Sequence, residues 1–490
     1  MSIVFGDYTS PPPPKGTIDI RIGVFFDGTQ NNRTNTNARL AKKGSDANNA
    51  YRKMSDKETD SYMNDLSNVA RKELNYTKEK YVDSIYIEGI GTDDLGADTD
   101  DATTAFGEGH LGVAFGAGRQ GIVAKVTKGC DMLAEKAGKL KGEDDINTLT
   151  VDVFGFSRGA AAARNFIYEL SKKRKDDIWG SKLVKHKVQY ARLQVRFVGL
   201  YDTVSSYDPN ATNTTTDPNY NNDVSELHLN NLNVEINNLY KAKKIIHFCA
   251  SDEHRKNFML TPTARAGGQD FYLPGVHSDV GGCYTDKMNE SKQIMDLDNT
   301  WGDGYDDDEY DEILNNDLNN LIQQGWVNES EVERPDSWHQ TFINRKGIRN
   351  TYSYVTLYLM VEKLNKEYID TINMEKLNKQ FNIPKPSKPD ELDLHTVKKR
   401  LAEYINGNQP QMSYYTSKEI EQLRKKLDLK NPNDVKSFNI KVRDHNILKD
   451  LRHKYIHWNS EFGDTVGAYL PNYKIEGKTI VRFRKIEPHS

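Results

Sequence analysis

Cysteine is scarce in this chain: three residues in 490, Cys130, Cys249 and Cys283, with no CxxC pair among them. That excludes a disulfide scaffold and predicts reduced thiols in a protein made in the cytoplasm. Runs of about 18 apolar residues are missing, so no segment is expected to span a bilayer. Residues 1–7 offer neither a basic stretch nor an apolar one, so no signal peptide is expected, and action outside the cell would need a dedicated delivery machine. Neither charge sign dominates: 67 Lys and Arg stand against 71 Asp and Glu, a net charge of -4. No global field draws such a chain to nucleic acid or to anionic lipid. The mean hydropathy of -0.77 indicates an extensive polar surface. Internal repeats are also absent, and the length admits either about three domains or one large α/β unit with insertions.

What is present is a pentapeptide, Gly155-Phe156-Ser157-Arg158-Gly159, set between two contrasting segments. Residues 149–154 are rich in β-branched and aromatic side chains and predict a strand, whereas residues 160–170, opening on four alanines, predict a helix. A G-x-S-x-G between strand and helix is the setting of a nucleophile elbow. The serine occupies a strained turn, Gly155 and Gly159 let strand and helix approach, and the hydroxyl projects at a helix N-terminus, where negative charge is favoured.

Four prolines at 11–14 mark a leader that ends at residue 16. A strand is predicted over 18–26, a polar helical stretch over 33–80 and a second strand over 84–88. The glycine-rich stretch that follows contains Gly116, Gly118 and Gly121 in a G-x-G-x-x-G spacing. No strand immediately precedes it and the acid at the right distance, Glu135, lies in a helical pattern, so a helix start fits better than a dinucleotide site. Three further hydrophobic strands end near Asp202, Asp252 and His277. Strands alternating with helical segments predict an α/β fold, an α/β-hydrolase-like, mostly parallel sheet with helices on both faces. The acidic run at 306–312 lacks EF-hand spacing and reads as a solvated loop. The expected organisation is a catalytic domain over 17–285, a mainly helical insertion or accessory region over 286–450, and a segment 451–490 packing back on the first.

A serine at neutral pH needs a base, and the base needs an acid to orient it. In α/β-hydrolases these follow the nucleophile in the order acid, then histidine. Asp202 and His277 stand in that order, each at the end of a predicted parallel strand and hence at one edge of the sheet. His457, in an aromatic stretch, and His254, after a strand, are alternative bases; Asp252 is the alternative acid. Arg158 supplies one expected oxyanion-hole N–H, and the Gly28–Thr29 loop after the first strand supplies the second. No cofactor is required. A metal centre built from Asp27, Asp202, Asp252, His277 and Asp279 would lack any helical ligand pair and would leave the elbow unexplained.

Residues 25–32 (FFDGTQNN), 88–92 (EGIGT), 155–160 (GFSRGA), 199–204 (GLYDTV) and 275–282 (GVHSDVGG) occur in this order. As a set over about residues 17 to 285, they resemble the α/β-hydrolase domain of the type VI secretion lipase effectors with a GxSxG nucleophile. The resemblance implies a phospholipase A-type esterase carried by a spike or tube component into rival bacteria. There it would attack membrane phospholipids from the periplasmic side, opposed by a cognate immunity protein. It also implies Ser157 as nucleophile, Asp202 as acid and His277 as base. One departure is Cys283, where the family motif usually continues with glycine. Two other functions share these residues: a soluble carboxylesterase or thioesterase, and a hydrolase-like binding protein without catalysis.

Overall fold

The computed structural model describes residues 16–54, 60–98, 121–172, 175–205, 242–297, 307–335, 339–462 and 469–487. Six strands form one sheet: β1 (Thr17–Phe26), β2 (Val82–Ile87), β3 (Asp145–Phe156), β4 (Tyr190–Tyr201), β5 (Lys244–Ala250) and β6 (Gln269–Leu273). Their order is β2-β1-β3-β4-β5-β6, and every pairing is parallel. The C-terminal ends are in step: Phe26 is level with Ile87 and Gly155, Phe156 with Tyr201, and Tyr201 with Phe248. All the strand-end segments singled out in the sequence therefore emerge on one edge.

The strands read as nearly continuous apolar runs because both faces are covered. Alternate side chains separate cleanly. Val24, Phe26, Val151 and Val153 face a core built with α5 (Ile122–Lys141), α6 (Arg158–Ser171) and α7 (Ile178–Lys185). Phe25, Phe154, Phe156 and Phe248 face the opposite core, which is closed by Val355, Leu357, Leu359 and Met360 of the helix Tyr352–Glu367. The small residues Ala160–Ala163 let α6 approach the sheet, and Phe166, Ile167 and Leu170 complete its buried face.

Among the described residues, four short helices separate β1 from β2: α1 (Arg33–Leu40), α2 (Asp46–Tyr51), α3 (Asp60–Met63) and α4 (Asn68–Leu74). After β6, the five-residue α8 (His277–Gly281) leads into a three-stranded antiparallel sheet. That sheet is made of β7 (Met288–Asp296), β8 (Val332–Glu333) and β9 (Gln340–Ile348), in the order β7-β9-β8. The acidic run differs from its loop expectation: Asp307, Asp308 and Glu309 form the first turn of α9 (Asp307–Gln323). Carboxylates there complement the positive end of the helix, so the charges that suggested a solvated loop favour a helix start. Among the described residues, the remaining α-helices are α10 (Tyr352–Glu367), α11 (Met374–Gln380), α12 (Leu394–Ile405), α13 (Ser417–Lys425) and α14 (Pro432–Lys454). A hairpin of β10 (Tyr473–Glu476) and β11 (Thr479–Arg482) follows. The G-x-G-x-x-G segment lies outside the described residues except for Gly121, which precedes α5. No helix among the described residues is long and apolar enough to cross a membrane.

Candidate active site

Residues 155–159 carry the chain from β3 into α6. Ser157 has φ +59° and ψ −131°, a left-handed strained conformation, between the last residue of β3 and the first of α6. The flanking glycines are required by space. A Cβ on Gly155 would lie 2.5 Å from Ala160 Cα, and one on Gly159 would lie 2.1 Å from the Asp27 carbonyl oxygen. That second approach also brings the end of β1 against the start of α6.

Asp202 follows β4, with φ +43°. Its main-chain N–H is bonded to Phe248 O at 2.7 Å, and its Oδ1 accepts the Ala250 N–H at 2.8 Å, so the carboxylate is fixed against β5. His277 opens α8 and donates from Nδ1 to Asp202 Oδ2 at 2.5 Å. With Nδ1 carrying the proton, Nε2 is the free lone pair. Phe156, next to Ser157, lies against the His277 ring at 4.6 Å between centroids, and Phe258 meets that ring edge-on at 4.9 Å. Ser157, Asp202 and His277 are thus gathered at one sheet edge. The Ser157 hydroxyl makes no hydrogen bond to another described residue; such contacts commonly tighten only with substrate in place.

Burial alone would raise the Asp202 pKa, but the Arg484 charge and the His277 hydrogen bond outweigh it and hold the carboxyl well below the usual range. Arg484 straddles both oxygens, at 2.6 and 3.0 Å. Burial pushes the His277 imidazole below its ordinary value, with the Asp202 hydrogen bond opposing that shift. A neutral base beside an ionised acid is the state from which serine can be deprotonated.

The alternatives occupy other places. His254 is fully engaged: Nδ1 donates to Asp252 O at 2.9 Å and Nε2 accepts from Ser460 at 2.7 Å. Burial lowers its pKa to about 4. His457 forms a second pair, with Nδ1 2.7 Å from Asp279 Oδ1, and its ring stacks on Tyr284 at 3.9 Å. Asp252 accepts the Gly275 N–H at 2.7 Å and the Arg452 guanidinium at 3.0 Å. It therefore holds the loop carrying His277, while Asp202 holds the ring.

The oxyanion candidates separate in the same way. Gly28 packs against Phe156 and its N–H is donated to Asp27 Oδ1 at 2.8 Å. Tyr86 donates to the other Asp27 oxygen at 2.6 Å, and burial, opposed by these bonds, raises the Asp27 pKa to about 6. Thr29 is the member of the pair whose N–H and buried hydroxyl have no partner among the described residues. Arg158 opens α6, where main-chain N–H groups point out of the helix.

The three cysteines are separate buried thiols. Cys283 has φ +100°, a conformation that favours glycine, which accounts for why a glycine would suit that position. His247, Cys249 and Asp270 bring possible donor atoms within 4.8 Å of one another. Both His247 nitrogens are already used, Nδ1 on Asp270 at 2.8 Å and Nε2 accepting the Thr203 N–H at 3.0 Å. The cluster braces the turn after Asp202. Sequence reasoning missed Arg484, Glu253 and Asn459, whose roles rest on contacts with no local pattern.

Residues 168–301 match the family described as type VI secretion phospholipase effector, Tle1-like, catalytic domain. That span contains Asp202 and His277, and the Ser157 elbow lies just before it. No curated protein matches the chain. Among solved structures, the Tle1 effector bound to the VgrG spike of the type VI secretion system shares the fold. Its TM-score is 0.57 at 19% identity, over 99% of this chain and 97% of that one. An uncharacterized protein from Pseudomonas aeruginosa aligns at a TM-score of 0.35 and 15% identity, over 91% of this chain and 65% of that one, too weakly to argue from. Over residues 168–301 the chain is similar to the Tle1-like phospholipase effectors of type VI secretion, in line with the lipase effector family that its ordered motifs resemble.

Proposed function

We propose that the protein is a serine phospholipase of the A type, hydrolysing acyl esters of membrane phospholipids as an antibacterial effector. The observation that carries the reading is the strained Ser157 turn beside a His277–Asp202 pair of 2.5 Å on the same sheet edge. In this reading His277 Nε2 takes the Ser157 proton as Oγ attacks the acyl carbonyl. Asp202 holds the imidazole tautomer and stabilises the imidazolium, and the protonated ring then delivers the proton to the departing lysophospholipid oxygen. Water repeats the sequence on the acyl-enzyme and releases the fatty acid. The negative oxygen is received by the Arg158 N–H and by Thr29, since the Gly28 N–H is committed to Asp27.

Phospholipid as the ester is supported by the family match over 168–301. Delivery on a spike protein follows the Tle1 neighbour, which is bound to VgrG. Action at the periplasmic side of the target membrane, and protection of the producer by an immunity protein, belong to the same reading. The test is incubation with mixed phospholipid vesicles. Fatty acid and lysophospholipid should appear with the wild-type protein and not with a folded Ser157→Ala variant. Cleavage only of short soluble esters or thioesters would move the substrate to the carboxylesterase class.

A further inference from the structure

His277 is held by four carboxylates. Its ring is bonded to Asp202. The main chain that carries it, residues 275–277, is held through three successive N–H groups, each donated to a different acid. Gly275 N–H goes to Asp252 at 2.7 Å, Val276 N–H to Asp279 at 3.0 Å and His277 N–H to Glu253 at 3.2 Å. Four buried or nearly buried acids in one small volume require compensating partners. Arg255 neutralises Glu253 locally, at 3.0 Å. Every one of the four also takes a partner from the C-terminal part of the chain.

Arg452 binds Asp252 at 3.0 Å, and His457 binds Asp279 through Nδ1 at 2.7 Å and through its N–H at 3.1 Å. Asn459 donates to Glu253, and Arg484 binds both oxygens of Asp202. The same part of the chain is laid along the loop after β5. Lys256 N–H bonds Leu470 O at 2.8 Å, Asn472 N–H bonds His254 O at 2.6 Å, and Leu260 N–H bonds Lys485 O at 3.0 Å. Arg484 Nε reaches Phe258 O at 2.7 Å, the residue whose ring lies edge-on to His277.

We propose that residues 452–459 together with Arg484 form a positioning strap for the general base, fixing the His277 main chain through Asp252, Asp279 and Glu253 and balancing the charge of Asp202. This rests on the esterase reading of Ser157, Asp202 and His277. Arg452, His457, Asn459 and Arg484 are positioning residues: they act through the acids and touch no reacting atom. A histidine displaced by about 1 Å is expected to cost on the order of a hundredfold in rate. The sign of the electrostatic effect follows from the groups around the ring. Asp202 comes from the end of β4, Asp252, Glu253, His254 and Arg255 from the loop after β5, Asp279 from α8, and Arg452, His457 and Arg484 from the C-terminal part. Removing the Arg484 charge leaves Asp202 uncompensated and favours the imidazolium, so the base is neutral only at higher pH.

The experiment uses the full chain carrying Arg484→Gln and Arg484→Lys. In Arg484→Gln, kcat for fatty acid release should fall on the order of ten- to a hundredfold with KM little changed. The acidic limb of kcat/KM should move to higher pH. Arg484→Lys keeps the charge but not the two-pronged geometry, so it should restore the position of the limb and part of kcat. In a Ser157→Ala background labelled with 15N-histidine, the His277 imidazole should titrate at higher pH when Arg484→Gln is added. That readout needs no turnover, so absence of hydrolysis of lipid and of short soluble esters in the wild type would overturn the esterase reading and leave the strap to be decided by the titration. A folded Arg484→Gln protein with unchanged kcat and an unmoved His277 titration would overturn the strap. If Arg484→Gln fails to fold, Arg452→Gln serves instead, with a lowered kcat at unchanged KM expected and a wild-type kcat contradicting the proposal.

Discussion

Two buried histidine–aspartate pairs lie two residues apart at their roots on α8: His277 with Asp202, and Asp279 with His457. Their hydrogen bonds are of similar length, both use Nδ1, and all four side chains are buried. Their surroundings differ. The His277 ring rests on Phe156, the neighbour of Ser157, and its acid is charge-balanced by Arg484. The His457 ring rests on Tyr284, and its acid also caps the start of α8 by accepting the Val276 N–H. Burial, opposed by the His457 contacts, raises the Asp279 pKa, whereas that of Asp202 is held low. A dyad is therefore not in itself a catalytic signature. What distinguishes the first pair is its place at the strand ends beside a strained serine, with the acid kept ionised.

The largest effect that could break this comparison is exchange of the histidines. His277→Ala is expected to reduce kcat for fatty acid release on the order of 10⁴-fold or more, and His457→Ala by about tenfold, through slackening of α8. Equal losses, or the reverse order, would reassign the base. Next is Asp202→Asn, which keeps the shape but stabilises the wrong imidazole tautomer; a loss on the order of 10⁴-fold is expected, measured by initial rates at saturating substrate. Asp279→Asn, in the second pair, should remain far more active.

A smaller effect is the pH profile. Because burial lowers the His277 pKa, the acidic limb of kcat/KM should lie below the ordinary histidine value, so activity persists into mildly acid buffer. A limb above that value would mean that the burial effect is overcome when substrate is absent. The smallest effect on rate belongs to His254→Gln. Losing its bonds to Asp252 O and Ser460 should cost about 1–3 kcal/mol of unfolding free energy in denaturant titration, with kcat per folded molecule largely retained.

Much of the first pair was legible in the sequence because strand ends in a parallel sheet are marked locally. Ser157, Asp202 and His277 each close or follow a hydrophobic run, and parallel connections bring such ends to one edge. The residues around them were not legible. Arg484 meets Asp202 across 282 positions and Asn459 meets Glu253 across 206, and a single Arg or Asn carries no local sign of so distant a partner. The antiparallel β7 and β9 were hidden for a related reason: much of each strand is polar or charged, as in Glu290, Lys292, Arg345 and Lys346, so no apolar alternation appeared. Gly28 packs against Phe156, but only side-chain geometry reveals that Asp27 has taken its N–H.

The most direct test is covalent labelling with a fluorophosphonate, followed by peptide mass spectrometry of the wild type and of His277→Ala and His457→Ala. A single adduct on Ser157, lost in His277→Ala and retained in His457→Ala, is expected. An adduct on another residue, or undiminished labelling of Ser157 without His277, would contradict the assignment of this serine and this base.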